Sequence, residues 1–284
     1  MKTIKLLPLA LMALAMTSCL DDDKNVMEVS CYWPEDLTPN LTYVTDPEGE
    51  SHVYGPSTLS YNFRLEKNEV AVTAVSVPLT ETRKVAFVVP TTTYTNTNYG
   101  ALAMKLPGAV TVNNVNLEAF SAGAVLRNFY GQSKQANYYY ADMTVDGYKV
   151  SVIQTSNSYY GQTTVNFLTG NPTVYTDLDT SYDMKLDAEK MTATITINNA
   201  KFASNMPAQS KITLPDVPVT LSHDGIHFEC DELVPLQANG APKPEFGITD
   251  VIGDAKQGRG LQLKFKVAGT WQVDAQCGYI AKSI

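Results

Sequence analysis

The amino-acid sequence predicts an all-β protein with two tandem, internally repeated antiparallel domains, each a β-sandwich or a small barrel. Apolar and polar residues alternate with a period of two along many short segments, which is the pattern of half-buried strands. Turn-forming residues separate these segments at the spacing of roughly 8 to 12 residues that is typical of sandwiches and barrels. No segment carries a sustained period of 3.6 residues, so no long helix is predicted.

The chain begins with a secretory signal. Lys2 and Lys5 precede an apolar run over residues 6–16, and the run is too short to span a bilayer of ~30 Å as a helix. Small residues then lead to Cys19. We therefore expect residues 1–18 to be a signal peptide, and we expect Cys19 to be the lipid-attachment residue of the mature chain.

Two features around Cys19 resemble known export signals. Thr17-Ser18-Cys19 resembles a bacterial lipobox, although Met16 stands where leucine is usual. The acidic residues 21–23 resemble the surface-export signal of Bacteroidetes lipoproteins. The resemblance implies a chain anchored in the outer membrane by acyl groups such as palmitate, facing the cell exterior.

Charge limits the partners of the mature chain. Removing Lys2 and Lys5 with the signal takes the formal charge from −8 to −10. An acidic protein repels phosphate backbones, so we expect no nucleic-acid partner. Residues 19–40 read as an acidic tether, with one leading strand expected over residues 26–33.

A sequence repeat divides the remainder of the chain. Residues 53–76 align without a gap with residues 174–197, and Tyr61 then matches Tyr182. A second, weaker match follows in the same order, which favours a duplicated domain. We expect the first β domain over residues 41–160 and the second over residues 161–284.

Alternation and turn residues predict the individual hairpins. In the second copy, alternating residues 182–186 and 191–197 flank a polar tip. In the first copy, Asp146-Gly147 separates two alternating runs, which is a strong hairpin signal. Further strands are predicted over residues 211–214, 217–221 and 226–230, and residues 261–277 form the last hairpin. Pro218 indicates an edge or a bulge.

The second copy also resembles a group of known proteins. Residues 191–207, Ile212-Thr213-Leu214-Pro215 and Asp224-Gly225 are similar to the C-terminal domains of uncharacterised Bacteroidetes lipoproteins, some of them described as calycin-like small barrels. These motifs are packing and turn signals. The resemblance therefore implies a β fold and a cell-envelope location, and it transfers no functional residue.

Tyrosine is the main candidate for a binding surface. Thirteen of the 16 tyrosines lie at or before Tyr160, and several stand among Asn, Ser and Gly, a mixture that adaptable binding surfaces use. Tyrosine is also a favoured strand residue, so packing is the alternative explanation. The candidate ligand-binding residues are Tyr94, Tyr99, Tyr138, Tyr139, Tyr140, Tyr159 and Tyr160.

No motif nominates a metal, a cofactor or a catalytic residue. Asp177, Asp179 and Asp183 lack the glycine and the distal glutamate of an EF-hand loop. There is no Gly-x-Ser-x-Gly elbow, no His-Glu-x-x-His motif and no phosphate-binding glycine loop. Cys230 and Cys277 each end an apolar alternation, which favours two buried thiols and leaves a disulfide open.

These observations predict a cell-surface lipoprotein with a non-catalytic binding role. The expected partners are the membrane, through Cys19, and a glycan, a small apolar molecule or an envelope protein. The alternative is a structural or anchor component of a surface fibre or envelope complex, resembling fimbrillin-type lipoproteins. An exposed apolar terminal strand would favour that alternative, whereas a barrel with an apolar cavity would favour a small ligand.

Overall fold

The computed structural model describes residues 28–33, 39–64, 67–96, 102–106, 108, 110–112, 114–129, 133–170 and 173–279. These residues form two compact β units, with the boundary along the chain between Ile153 and Gln154. The described residues contain β-strands and one short 3-10 helix, Pro244–Phe246. The all-β class and the two tandem domains predicted from the sequence are confirmed.

The first unit is one antiparallel sheet. Its strands are β1 (Glu28–Trp33), β2 (Asn40–Thr45), β3 (Ser51–Tyr54), β4 (Thr58–Arg64), β5 (Glu69–Pro78), β6 (Lys84–Asn96), β7 (Leu102–Lys105), β8 (Val110–Val112), β9 (Val115–Phe129), β10 (Ser133–Val145) and β11 (Tyr148–Gln154). The order of pairing is β1-β4-β5-β6-β7-β9-β10-β11-β2-β3, and β8 pairs with β9.

The second unit closes into an eight-stranded barrel. Its strands are β12 (Ser156–Phe167), β13 (Val174–Asp177), β14 (Ser181–Asp187), β15 (Thr192–Ala200), β16 (Gln209–Ser222), β17 (Gly225–Leu233), β18 (Leu236–Gln237), β19 (Ile248–Lys256), β20 (Gly260–Val267) and β21 (Trp271–Gly278). The ring runs β12-β14-β15-β16-β17-β19-β20-β21 and closes where β21 pairs with β12. β13 adds to β12, and β18 adds to β16.

Large side chains occupy the barrel interior, as expected for a ring of eight strands. Inward residues alternate with outward ones along most of the wall, so the period-two segments of the sequence correspond to its two faces. The largest fully buried side chains of this unit are Tyr159, Tyr182, Phe228 and Phe265. The interior of the second unit is therefore a packed core around these four side chains.

The predicted hairpins are present. The second-copy hairpin is β14 and β15, in which Tyr182 and Ile197 are paired and both are buried. Asp146 and Gly147 turn β10 into β11 with positive φ angles of 49° and 83°, as a type I′ turn requires. The two strands predicted over residues 211–221 form one strand, β16, which carries a bulge near Pro218.

The repeat corresponds to equivalent strands. Tyr61 and Tyr182 are both buried in the first strand of a hairpin, β4–β5 in the first unit and β14–β15 in the second. The strand β12 pairs with β14 through its first half and with β13 through its second half. In the first unit β1 pairs with β4, and β2 pairs with β3. β1 and β2 of the first unit are therefore equivalent to the first and second halves of β12 in the second unit.

Two predicted boundaries need correction. The leading strand expected over residues 26–33 is present as β1, but it belongs to the first sheet and not to a tether, because it pairs along its full length with β4. The second unit begins at Gln154 rather than at residue 161, because β12 pairs with β14 and with β21 of the barrel. Tyr159 and Tyr160 therefore lie in the second domain, whereas the sequence analysis assigned them to the first.

Candidate functional site

An open depression lies at one end of the barrel in the second unit. At this end β13 replaces β14 as the partner of β12, and the depression lies between β13 and residues 199–208, where β15 ends and the segment to β16 begins. The depression has a volume of about 450 Å³. Its lining is mainly polar and consists of Tyr175, Asp177, Asp179, Asn199, Lys201 and Ala208. Barrel mouths are common places for ligand sites, so we call this depression the barrel mouth.

Asp177 holds the rim of the barrel mouth in shape. Its side chain is buried, and its Oδ1 accepts a hydrogen bond of 3.0 Å from the backbone N of Asp179. The hydroxyl of Thr180 donates to the other carboxylate oxygen at 2.6 Å and also lies 3.2 Å from the carbonyl oxygen of Asn199. An aspartate that binds its own turn in this way fixes the local backbone. The break between β13 and β14 is therefore an ordered turn.

Tyr175 and Lys201 face each other across the barrel mouth. The Nζ atom of Lys201 lies 5.3 Å from the centre of the Tyr175 ring, within the range of a cation–π contact. Tyr175 is half-buried on β13, and Lys201 directly follows the last residue of β15. With Asp177 and Asp179, the lining carries a formal charge of −1, which disfavours anionic ligands.

Aromatic side chains pack at the same end of the barrel. Trp271 lies 6.2 Å from Phe202 and 6.4 Å from Phe167, measured between ring centres. Phe202 also lies 5.8 Å from Phe246. Since Phe202 adjoins Lys201 in the chain, this cluster anchors the segment that forms one side of the barrel mouth.

The structure separates the tyrosines that the sequence analysis nominated. Tyr94 and Tyr139 are buried in the first unit, and Tyr159 is buried in the second, with exposed fractions of 7%, 2% and 1%. Tyr140 and Tyr160 are half-buried. Tyr99 and the side chain of Tyr138 lie outside the described residues. These tyrosines are thus divided between two units, and three of them do not present a ring to a ligand.

Packing accounts for the nominated tyrosines of the first unit whose side chains the structure describes. The Tyr61 ring stacks against that of Tyr139 with centres 5.3 Å apart, and Tyr94 meets the edge of Phe63 at 5.6 Å. Tyr140 points to the other face of β10, where its ring covers Gly123 on β9. Burial raises the pKa of Tyr140 to about 12. The prediction of a tyrosine site in the first copy is wrong for Tyr94 and Tyr139, because their rings fill the core.

The tyrosine that does line the barrel mouth is Tyr175, which the sequence analysis did not nominate. Its surroundings in the chain look like an ordinary edge strand, and its partners near residues 199–208 are distant in sequence. The available signal was the repeat, which aligns Val174-Tyr175 with Val53-Tyr54.

Asp183, considered with Asp177 and Asp179 as a calcium loop, instead accepts hydrogen bonds from Ser158 and Asn198.

A second polar cluster lies in the first unit, in the turn between β2 and β3. Asp46, Glu50 and His52 bring their ligand atoms within 4.8 Å of one another. Asp46 Oδ1 accepts a 2.8 Å hydrogen bond from the backbone N of Glu50, which is the loop-closing role of a turn aspartate. All three lie on the surface of the hairpin, and we assign them no ligand.

Cys230 and Cys277 are free thiols. Cys277 is buried, and burial raises the pKa of its thiol to about 12. Cys230 is half-buried, and its Sγ donates to the carbonyl oxygen of Glu232. The expectation of two buried thiols thus holds for Cys277 only, because the alternation of β17 ends at Phe228.

Cys19 lies outside the described residues. Among the residues that are described, no helix is both long and apolar enough to cross a membrane. No protein-family model, no curated protein and no solved structure matches the chain.

Proposed function

We propose that this chain is a cell-surface lipoprotein, anchored through Cys19, that binds a glycan without catalysis at the mouth of the barrel formed by its second domain. The observation that carries the proposal is the open depression of about 450 Å³ with Tyr175 on one side and polar side chains around it. The anchor is supported by the lipobox-like residues 16–19 and the acidic residues that follow. The outer-membrane location and the absence of a catalytic role remain proposals of the same kind.

The side chains of the barrel mouth suit a sugar ring. A tyrosine ring offers a flat apolar surface, against which the C–H face of a sugar can pack, and a hydroxyl at its edge. The carboxylates of Asp177 and Asp179 can accept hydrogen bonds, and the Asn199 amide can both accept and donate them. This set can satisfy the hydroxyl groups that a sugar displays around its rim.

The same features make the other ligand classes less suitable. A small apolar molecule would need an apolar cavity, whereas the mouth is polar and the layers around Tyr182 and Phe228 are filled. A fibre subunit would need a terminal strand able to add to a neighbour. The last described strand, β21, is instead paired along both edges, with β20 and with β12.

Isothermal titration of the full chain with neutral oligosaccharides of glucose, galactose and mannose tests the proposal. We expect at least one series to bind, and we expect Tyr175→Ala to weaken its binding about five- to thirtyfold, because truncating an aromatic anchor costs ~1–2 kcal/mol.

Tyr160→Ala is the matched control, because Tyr160 is half-buried and alternates with the inward-facing Tyr159 on the same barrel. Its affinity should equal that of the unmodified chain. Equal losses in both variants, or no binding by any series, would contradict the proposal.

A further inference from the structure

Lys201 lies over one face of the Tyr175 ring, where a ligand that packs on that face would lie. Its ammonium group sits 5.3 Å from the ring centre, and both side chains line the same depression. A sugar that packs against a tyrosine needs van der Waals contact with the ring face. The ammonium and the sugar therefore compete for one surface.

We propose that Lys201 is a displaceable cover of the Tyr175 ring, so that a neutral sugar binds only when the lysine side chain moves aside. The inference rests on the proposed function and adds a residue that limits affinity at that site. It assigns Lys201 a role opposite to that of a ligand-binding lysine, whose removal would weaken binding.

The contacts of Lys201 allow this movement. Its ammonium makes no ion pair within 4 Å with a carboxylate of any residue that the structure describes, and it makes a cation–π contact with the ring of Tyr175. Lysine carries its charge on a flexible four-carbon stem. By contrast, Asp177 on the facing side of the mouth accepts two hydrogen bonds and is buried. The mouth thus combines a fixed rim with one mobile charged side chain.

The size of the effect follows from the contact that must be broken. Cation–π contacts at exposed sites have a strength that corresponds to about a two- to fivefold change in an equilibrium constant. Lys201→Met keeps the length and the apolar stem of the side chain and removes the charge. We therefore expect Lys201→Met to bind neutral sugars about two to five times more tightly than the unmodified chain.

The matched controls are Lys201→Arg and Lys190→Met. Arginine keeps a cation that stacks on aromatic rings, so Lys201→Arg should show no gain. Lys190 is an exposed lysine at the opposite end of the β14–β15 hairpin, near Asp187, and its loss should leave sugar affinity unchanged.

The experiment is an NMR titration of the full chain and the three variants with methyl glycosides of glucose, galactose and mannose. A gain for Lys201→Met alone supports the cover. Equal or weaker binding by Lys201→Met, with binding by the unmodified chain intact, overturns the cover and leaves the proposed function standing. If neither the unmodified chain nor Lys201→Met binds any glycoside, the proposed function fails and the cover fails with it.

The NMR spectrum without ligand tests the Lys201 cover independently of sugar binding. Protons on the Lys201 ε-carbon, which adjoins the ammonium over the Tyr175 ring, should resonate upfield, and they should move to ordinary positions in Tyr175→Leu. Ordinary positions in the unmodified chain would overturn the cover whatever the binding results.

Discussion

The hydroxyls of Tyr182 and Thr163 make a buried pair inside the barrel of the second domain, and this pair supports a quantitative prediction. The two oxygen atoms are 2.9 Å apart, and burial raises the pKa of Tyr182 well above its ordinary value. Tyr182 lies on β14 and Thr163 on β12, so the bond links two strands of the ring.

Tyr182→Phe removes one hydroxyl and leaves the other buried without this partner. Such a change costs about 1–3 kcal/mol of unfolding free energy, because the remaining polar group has lost its water as well as its bond. Thr163→Val should cost a similar amount. The double variant leaves no unpaired hydroxyl, so its loss should fall short of the sum of the single losses by about 1–2 kcal/mol.

Urea unfolding followed by circular dichroism measures these changes as shifts of the midpoint at constant slope. Since the two domains can unfold in separate transitions, the shift should appear in the transition of the second domain alone. Thr163→Ser keeps a hydroxyl at the position and is the control. Strictly additive losses, or no loss for Tyr182→Phe, would refute the reasoning that this bond is buried and formed.

Three further predictions concern other parts of the chain. Gly123→Ala should destabilise the first domain by about 1–3 kcal/mol, because the added methyl overlaps the Tyr140 ring. Gly55→Ala is the control, because a methyl there meets no neighbour and should not destabilise the domain. Equal urea midpoints for the two variants would contradict this. Burial raises the pKa of Cys277 from 9.0 to about 12, so the unfolded thiol ionises before the folded one. The contribution of Cys277 to stability is therefore complete below pH 9 and is lost between pH 9 and about pH 12. Cys277→Ala should flatten that part of the pH–stability profile, and an unchanged profile would contradict the raised pKa. Cys19→Ala should release the folded chain from the membrane fraction, and persistent membrane association would contradict the lipid anchor.

The sequence predicts the local parts of the fold well. The Asp146-Gly147 turn and the alternation around Tyr182 contain their information within a few residues, and both hairpins are present. The pairing of β1 with β4 and of β12 with β21 depends on partners far along the chain. Period-two patterns mark a strand but do not name its neighbour, so neither the barrel closure nor the true domain boundary could be derived.

The candidate site was harder to predict for a chemical reason. Tyrosine serves both as a core residue and as a binding residue, and composition cannot separate the two uses. Tyr139 and Tyr140 are neighbours in sequence, yet one stacks on Tyr61 in the core and the other covers Gly123. Tyr175 gains its role only because β13 and Lys201 meet at the barrel mouth.

Backbone-amide NMR mapping of a bound sugar tests the central claim most directly. Titration of the full chain with the tightest-binding neutral oligosaccharide should shift the amide signals of β13 and of residues 199–208, which form the two sides of the barrel mouth. Signals of the first domain should stay in place. Saturable shifts that instead centre on the first domain, or on the outer wall around Tyr160, would contradict the assignment of the site to the barrel mouth.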